Sequence, residues 1–378
     1  MKKISILICV YLWTIFLCLS ISAQDFKTLQ DGIEYAEVER KLDKSPVKIN
    51  LLRLDLTKVR LDVVHAMDST IGVEKTSSIA TRYGAFAAIN AGFFRLDSSI
   101  FAGDSAGVLM IDNSLYSESY ANRVALFIYN GKKKTETNIA HLNISYKVMF
   151  QNMYFAAGVN RERKDDDLVV YLPEFNKTTI TTENGVEFVV KKNKIKQVLD
   201  GKGNNPIPRG GYVISASGKK RDELLKILTK NSKVSIRPVS DSVFSSAPSD
   251  FVLLRLPHED IVGGVPQLIK NGKIEITWEQ EKASKSFVET RHPRTAVAKL
   301  KDGKFLMVTV DGRSAESVGM NLQELAEFLL ELGAVDAMNL DGGGSTTMFL
   351  DGKIANKPSD KEGERKVSDA ILVFPRRR

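Results

Sequence analysis

Three consecutive glycines, Gly342 to Gly344, constrain this 378-residue chain more than any other stretch. An apolar run, Val335 to Leu340, delivers Asp341 into them, and Ser345-Thr346-Thr347-Met348 follows. Each glycine gives up more backbone freedom on folding than a residue with a side chain, so the run weakens any helix or strand interior. It belongs where the backbone must take unusual dihedrals or let a ligand approach its N–H groups. The order reads as strand, tight loop, strand, and a plain hairpin turn is the simpler alternative at this point. It is not a nucleotide phosphate loop, because no Gly-Lys-Ser/Thr ending follows and no helix opens behind it.

What precedes the glycines gives them a partner. Phe305 to Val310 is a predicted apolar strand ending at Asp311-Gly312-Arg313. Asn321 to Leu332 is the clearest helix in the chain, with Asn321 as cap, Glu324 placed for a capping box and Gly333 as stop. Its stripe, Leu322, Leu325, Ala326, Leu329 and Leu332, points to burial of one face. Strand, helix, strand of these lengths is a crossover unit, which predicts two parallel strands side by side, finishing at one sheet edge. Asp311 and Asp341 are then each the first polar residue past a strand end, where ligands bind in open sheets.

The rest reads as β-rich. Strands are predicted over Val47 to Leu54, Val59 to Val64, Ala85 to Ile89, Gly107 to Ile111, Val124 to Tyr129, Leu168 to Leu172, Gly185 to Val190 and Tyr212 to Ser217. Asn130-Gly131, Asn184-Gly185 and Asn271-Gly272 are hairpin signals. Helices are expected over Ser77 to Tyr83 and Arg221 to Thr229. The expected class is α+β, a mixed, β-rich sheet architecture whose C-terminal strand-helix-strand crossover carries the site. No low-complexity linker is visible, and the chain is divided into 1–23, a β-rich 24–75 and a main domain over 76–378.

Residues 1–23 have the layout of a secretory signal peptide. Met1-Lys2-Lys3 is followed by an apolar run from Ile4 to Leu19 and a small residue, Ala23, at the expected cut. The expectation is export, to a periplasmic or extracellular location, with membrane contact only if the segment stays uncleaved. Both cysteines, Cys9 and Cys18, lie in it, so a cleaved chain has neither disulfides nor thiol chemistry. The formal charge of +8 falls to about +6 without Lys2 and Lys3. No basic stripe interleaves with aromatics, which argues against nucleic acid, and the mild positive field suits anionic substrates.

Side chains for an anion are at hand. Arg294, in Arg291-His292-Pro293-Arg294-Thr295, and Arg313 can each hold a phosphate by bidentate contacts, with a structural ion pair as the plain alternative for each. Ser345 and Thr346 add hydroxyls after the glycines. Asn90 closes the apolar strand before Ala91-Gly92-Phe93-Phe94, where a turn role is the simpler reading. No cofactor is required, and a divalent ion on Asp311, Asp341 and backbone carbonyls stays open.

Taken together and in order, Asn90 to Phe94, Gly263-Gly264-Val265-Pro266, Arg291 to Ala296, Asp311-Gly312-Arg313, Ser317 to Met320 and Asn339 to Met348 resemble the phosphodiester glycosidase family. Val367-Ser368-Asp369-Ala370 closes the resemblance, and Gly158-Val159-Asn160-Arg161 and Ile207 to Tyr212 are similar to bacterial members. It implies an exported hydrolase that cleaves the sugar C–O bond of a sugar 1-phosphodiester in a glycan or glycolipid. In that role Asp341 or Asp311 would be base or nucleophile, with Arg294, Arg313 and the N–H groups of Gly342, Gly343 and Gly344 on the phosphate. Asn90 and Thr346 would orient sugar hydroxyls. The alternative is a non-catalytic polysaccharide-binding or scaffold protein on the same fold, and a third class is a metal-dependent phosphoesterase that cleaves P–O.

Overall fold

The structure is a computed structural model that describes residues 25–240 and 260–376. The signal segment with Cys9 and Cys18 therefore lies outside the described residues. Among the described residues no helix is long and apolar enough to cross a membrane.

The central sheet has eight strands in the order Lys27–Gln30, Ile33–Leu42, Ser45–Leu54, Phe305–Val310, Arg294–Leu300, Ala334–Asn339, Gln267–Lys270 and Lys273–Ile274. Its middle is buried on both faces, which period-two alternation makes possible. Phe305 and Met307 face a core shared with two five-stranded sheets, whereas Leu306, Val308 and Val310 face the helix Leu322–Glu331. That helix forms as expected. Asn321 accepts from the Glu324 N–H at 2.8 Å, Glu324 accepts from the Asn321 N–H at 2.9 Å, and Gly333 takes a left-handed φ of 86° behind it.

One part of the crossover differs from expectation. Phe305–Val310 and Ala334–Asn339 each pair antiparallel with Arg294–Leu300, which lies between them, so they are parallel to each other but not neighbours. The hairpin from Arg294–Leu300 to Phe305–Val310 occupies one side of the first strand, and the helix steps over that strand to reach its other side. Shared direction survives the extra strand, so Asp311 and Asp341 still leave the sheet at one edge, where Arg294 enters it.

The glycine run is a corner between sheets rather than a hairpin. The strand after it, Met348–Leu350, belongs to a second sheet ordered Lys353–Ile354, Met348–Leu350, Ala87–Asn90, Asp369–Pro375 and Val59–His65. Strands from 24–75 sit inside both sheets: Ser45–Leu54 pairs with Phe305–Val310, and Val59–His65 with Asp369–Pro375. Position 75 is thus no boundary in the pairing. A third sheet carries Val124–Asn130, Asp260–Gly263 and Leu109–Ile111 at its centre.

Between Thr135–His141 and Asp260–Gly263 the chain makes an excursion, a seven-stranded sheet over 144–240 with its own apolar core against the helix Gly218–Ile227. Its one parallel pairing joins Met153–Val159 to Leu168–Tyr171. Asn184-Gly185 is no hairpin here. Gly185 opens a strand paired with two later strands, and the Asn184 side chain is engaged by Arg163 and Thr182. The hairpin turns instead at Lys192-Asn193, both with positive φ. Asn271-Gly272 is the expected turn, with φ of 50° and 72° joining Lys270 to Lys273.

Candidate active site

Four chain segments meet at the edge where the central sheet hands over to the second one. The glycine corner is held from below: Gly343 N–H donates to the Pro293 carbonyl at 2.9 Å, and Asp341 N–H to the Ala91 carbonyl at 2.9 Å. Gly343 to Ser345 form a single 3-10 turn, and Gly343 has φ of 61°, which favours glycine. A Cβ on Gly343 would lie 2.9 Å from the Arg313 guanidinium, so that side chain rests directly on the loop. On Gly344 a Cβ would collide with the Arg365–Asp360 ion pair. Both glycines are therefore needed for close approach of charged groups, not for a tight turn alone.

Asp341 retains a little solvent contact at the centre of this arrangement. Burial pushes its carboxyl up to about 7; the Ser345 hydroxyl, Arg365 and the Gly342 N–H work against that, and the negative charge of Asp369 adds to it. Asp311 is more deeply buried and faces a different place. It accepts from the Lys357 N–H at 3.1 Å, burial raises its pKa, and it lines a cavity of about 290 Å³ with Glu37, Lys48, Arg313 and Asn356. Asp341 does not line this cavity. Arg313 touches both places: it lines the cavity and lies on Gly343. It is exposed, and no hydrogen bond or ion pair engages its guanidinium among the described residues.

Two expected ligand residues turn out to be frame. Arg294 is 1% exposed, and its guanidinium donates to the carbonyls of Met320, Phe287 and Thr290 at 2.8–2.9 Å while lying over the Phe287 ring. Desolvation, aided by Arg313, lowers its pKa to about 10, so it stays cationic at neutral pH. The physical reason is local. The short helix Lys285–Glu289 ends just before the strand and leaves carbonyls that need donors. Asn90 is fully buried: its amide donates to the Asp341 carbonyl at 2.6 Å, and its oxygen accepts from Thr295 and from the Thr347 N–H. It positions the backbone of Asp341 rather than facing a ligand. Of the three glycine N–H groups, that of Gly343 is already spent on Pro293.

The hydroxyls after the loop are the reverse case. Ser345, Thr346 and Thr347 are buried, and none of their oxygens makes a hydrogen bond of regular geometry. Nearby His292 likewise leaves Nδ1 without a partner, and burial with Arg294 and Arg313 lowers its pKa, keeping it neutral. Buried polar atoms normally have partners, so such a group marks where water or a ligand is received. Among the described residues no three His, Cys, Asp or Glu side chains gather as a metal set.

Sequence reasoning gave no role to Asp369, Arg365 or His65. Asp369 is 1% exposed and accepts from the Gly92 N–H at 2.5 Å and the Ser368 hydroxyl at 2.7 Å. One signal was present: an acid directly before the apolar run Ala370 to Phe374 has to enter a buried strand.

The profile of the phosphodiester glycosidase family matches residues 177–374, more than half of the chain. N-acetylglucosamine-1-phosphodiester alpha-N-acetylglucosaminidase of Bos taurus is 42% identical over 113 residues, 28% of this chain and 21% of that protein. The alignment thus spans about a fifth of the curated relative's length. A hypothetical protein from Synechocystis shares the fold with a TM-score of 0.78 at 23% identity, over 94% of this chain and 64% of the other. A Burkholderia pseudomallei structure, titled as a candidate exported protein, does so with a TM-score of 0.74 at 22% identity, over 88% and 74%. On the family match, this chain is a member of the phosphodiester glycosidase family.

Proposed function

We propose that the protein is an exported hydrolase that cleaves the sugar C–O bond of a sugar 1-phosphodiester in a glycan or glycolipid, releasing free sugar and a phosphomonoester. The observation that carries this reading is the pairing at the glycine corner of an acid poised near neutrality, Asp341, with an unengaged cation, Arg313. A general base works best when its pKa lies near the working pH. Asp341 takes a proton from water as the water oxygen bonds to the anomeric carbon. The bond from that carbon to the phosphate oxygen breaks, and its electron pair leaves with the phosphate. Arg313 and the free N–H of Gly344 meet the charge that develops there. Ser345 and Thr346 offer hydroxyls to the sugar, and Asp311 meets the substrate in the cavity.

The secretory layout of 1–23 and the name of the Burkholderia neighbour support export. The test is hydrolysis of a sugar 1-phosphodiester in ¹⁸O water, with Asp341→Asn as control. Label on the anomeric oxygen is the expected result; label in phosphate, or turnover indifferent to the substitution, overturns the assignment. Binding without any product across a substrate panel would favour the non-catalytic reading.

A further inference from the structure

We propose that Asp369 is a positioning residue for Asp341, coupled to it through the Ala91-Gly92 turn and backed on its far side by the buried His65. This rests on the role given above to Asp341, and it concerns residues to which neither the sequence nor the family comparison assigns a part.

The geometry is a chain of short contacts. Asp341 N–H donates to the Ala91 carbonyl, Ala91 N–H donates to the Asp369 carbonyl at 3.2 Å, and Gly92 N–H donates to the Asp369 carboxylate at 2.5 Å. One dipeptide turn thus grips both acids, one by its backbone and the other by backbone and side chain. A Cβ on Gly92 would lie 3.2 Å from both carboxylate oxygens, so the approach depends on that glycine. Asp369 is the first residue of its strand and is in register with His65, the last of Val59–His65. The His65 ring lies 1% exposed against Tyr116. Its Nδ1 meets the Ala66 carbonyl at 3.1 Å, and its Nε2, on the side of the Gly103 backbone, makes no hydrogen bond of regular geometry.

The charges around the line decide what it does. Toward Asp341 stand Asp369 and Arg365, the latter held by Asp360. Toward Asp369 stand Asp341 and His65, and behind His65 lies Asp68, itself paired with Arg82. Burial lowers the His65 pKa, so the ring is neutral around pH 7 and leaves the Asp369 charge to act on Asp341. Two like charges near one site favour protonation there, so Asp369 adds to the burial that holds the Asp341 carboxyl up where a base is useful.

Asp369→Asn removes the charge and keeps the shape, and its amide oxygen can still accept from Gly92. The readout is the ¹³C-carboxyl titration of Asp341, assigned by its loss in Asp341→Asn, alongside the pH profile of kcat/KM. The expected result is that both the titration midpoint and the acidic limb move down by at least half a pH unit. A midpoint that stays in place in the folded variant overturns the proposal, because a merely structural Asp369 would lower activity without moving it. Should the amide variant not fold, Asp369→Ser, whose hydroxyl can accept from Gly92, gives the same reading. The titration needs no substrate. A shifted midpoint in a protein that hydrolyses nothing refutes the proposed function alone, and an unshifted one in an active protein refutes this inference alone.

Discussion

In the 144–240 sheet the fully buried Glu187 accepts from Thr181, Ser215 and both the backbone and side-chain nitrogens of Asn205. At the glycine corner Thr346, Thr347 and the His292 Nδ1 are buried with no such partners, and the Ser345 hydroxyl makes no hydrogen bond of regular geometry. Among the described residues no buried side-chain polar atom of 144–240 is left over in this way. The two regions come from one chain and one solvent, so the contrast is local. One satisfies its buried polar groups internally, and the other leaves several of them without a protein partner among the described residues. Violations of local consistency concentrate where function needs them.

The contrast is broken most directly at Asp341. Asp341→Asn should lower kcat/KM by about 10³-fold, the scale of a lost general base, while leaving the fold intact. In the wild type, activity should rise with pH through about 7 as the base is freed. Stability has the opposite sign. The folded pKa lies above the unfolded value of about 3.9, so the folded state holds the proton more tightly. Stability is then fullest below about pH 4 and declines as pH rises toward 7. Asp341→Asn should therefore stabilise the protein more at pH 8 than at pH 5, by on the order of 1–2 kcal/mol given that the residue keeps some solvent contact. Urea unfolding at the two values checks it, and an equal effect at both would contradict the assigned shift.

Glu187→Leu sharpens the other side. It removes one hydrogen-bond partner from each of three side chains and should cost about 3 kcal/mol in urea unfolding, with kcat/KM of the folded fraction unchanged. Loss of activity in folded protein would mean the two regions are not independent. Arg313→Ala should reduce kcat/KM by about 30-fold through loss of a charge-assisted contact to phosphate, with a melting temperature close to wild type because the side chain holds no ion pair. Smallest is Thr346→Val. Removing an unpaired buried hydroxyl should leave stability equal or slightly higher, yet cost about 5-fold in kcat/KM if that hydroxyl serves the sugar.

What could be read from the sequence follows from how far each signal reaches along the chain. The helix Leu322–Glu331 was legible to its cap because Asn321, Glu324 and Gly333 act within a turn of its ends. Asn271-Gly272 was legible for the same reason. Asp311 and Asp341 could be placed at one edge because strand direction follows from the connecting helix. That a third strand stands between them could not, since the crossover rule fixes hand and direction but not the number of strands crossed. The frame role of Arg294 is not legible because its partners are carbonyls of Phe287, Thr290 and Met320, set by how a short helix ends against a strand. Asp369 and His65 lie 304 positions apart in sequence and meet only through sheet register.

The strand Asp369–Pro375 lies between Ala87–Asn90 and Val59–His65, in the interior of the second sheet. Chains leave the ribosome from the N-terminus onward, so those two flanking strands wait for nearly the whole of synthesis without the strand that joins them. Pairings of such long range are slow to form. The second sheet cannot close until that strand has been made, so a chain interrupted anywhere before Asp369 lacks the partner that joins Ala87–Asn90 to Val59–His65.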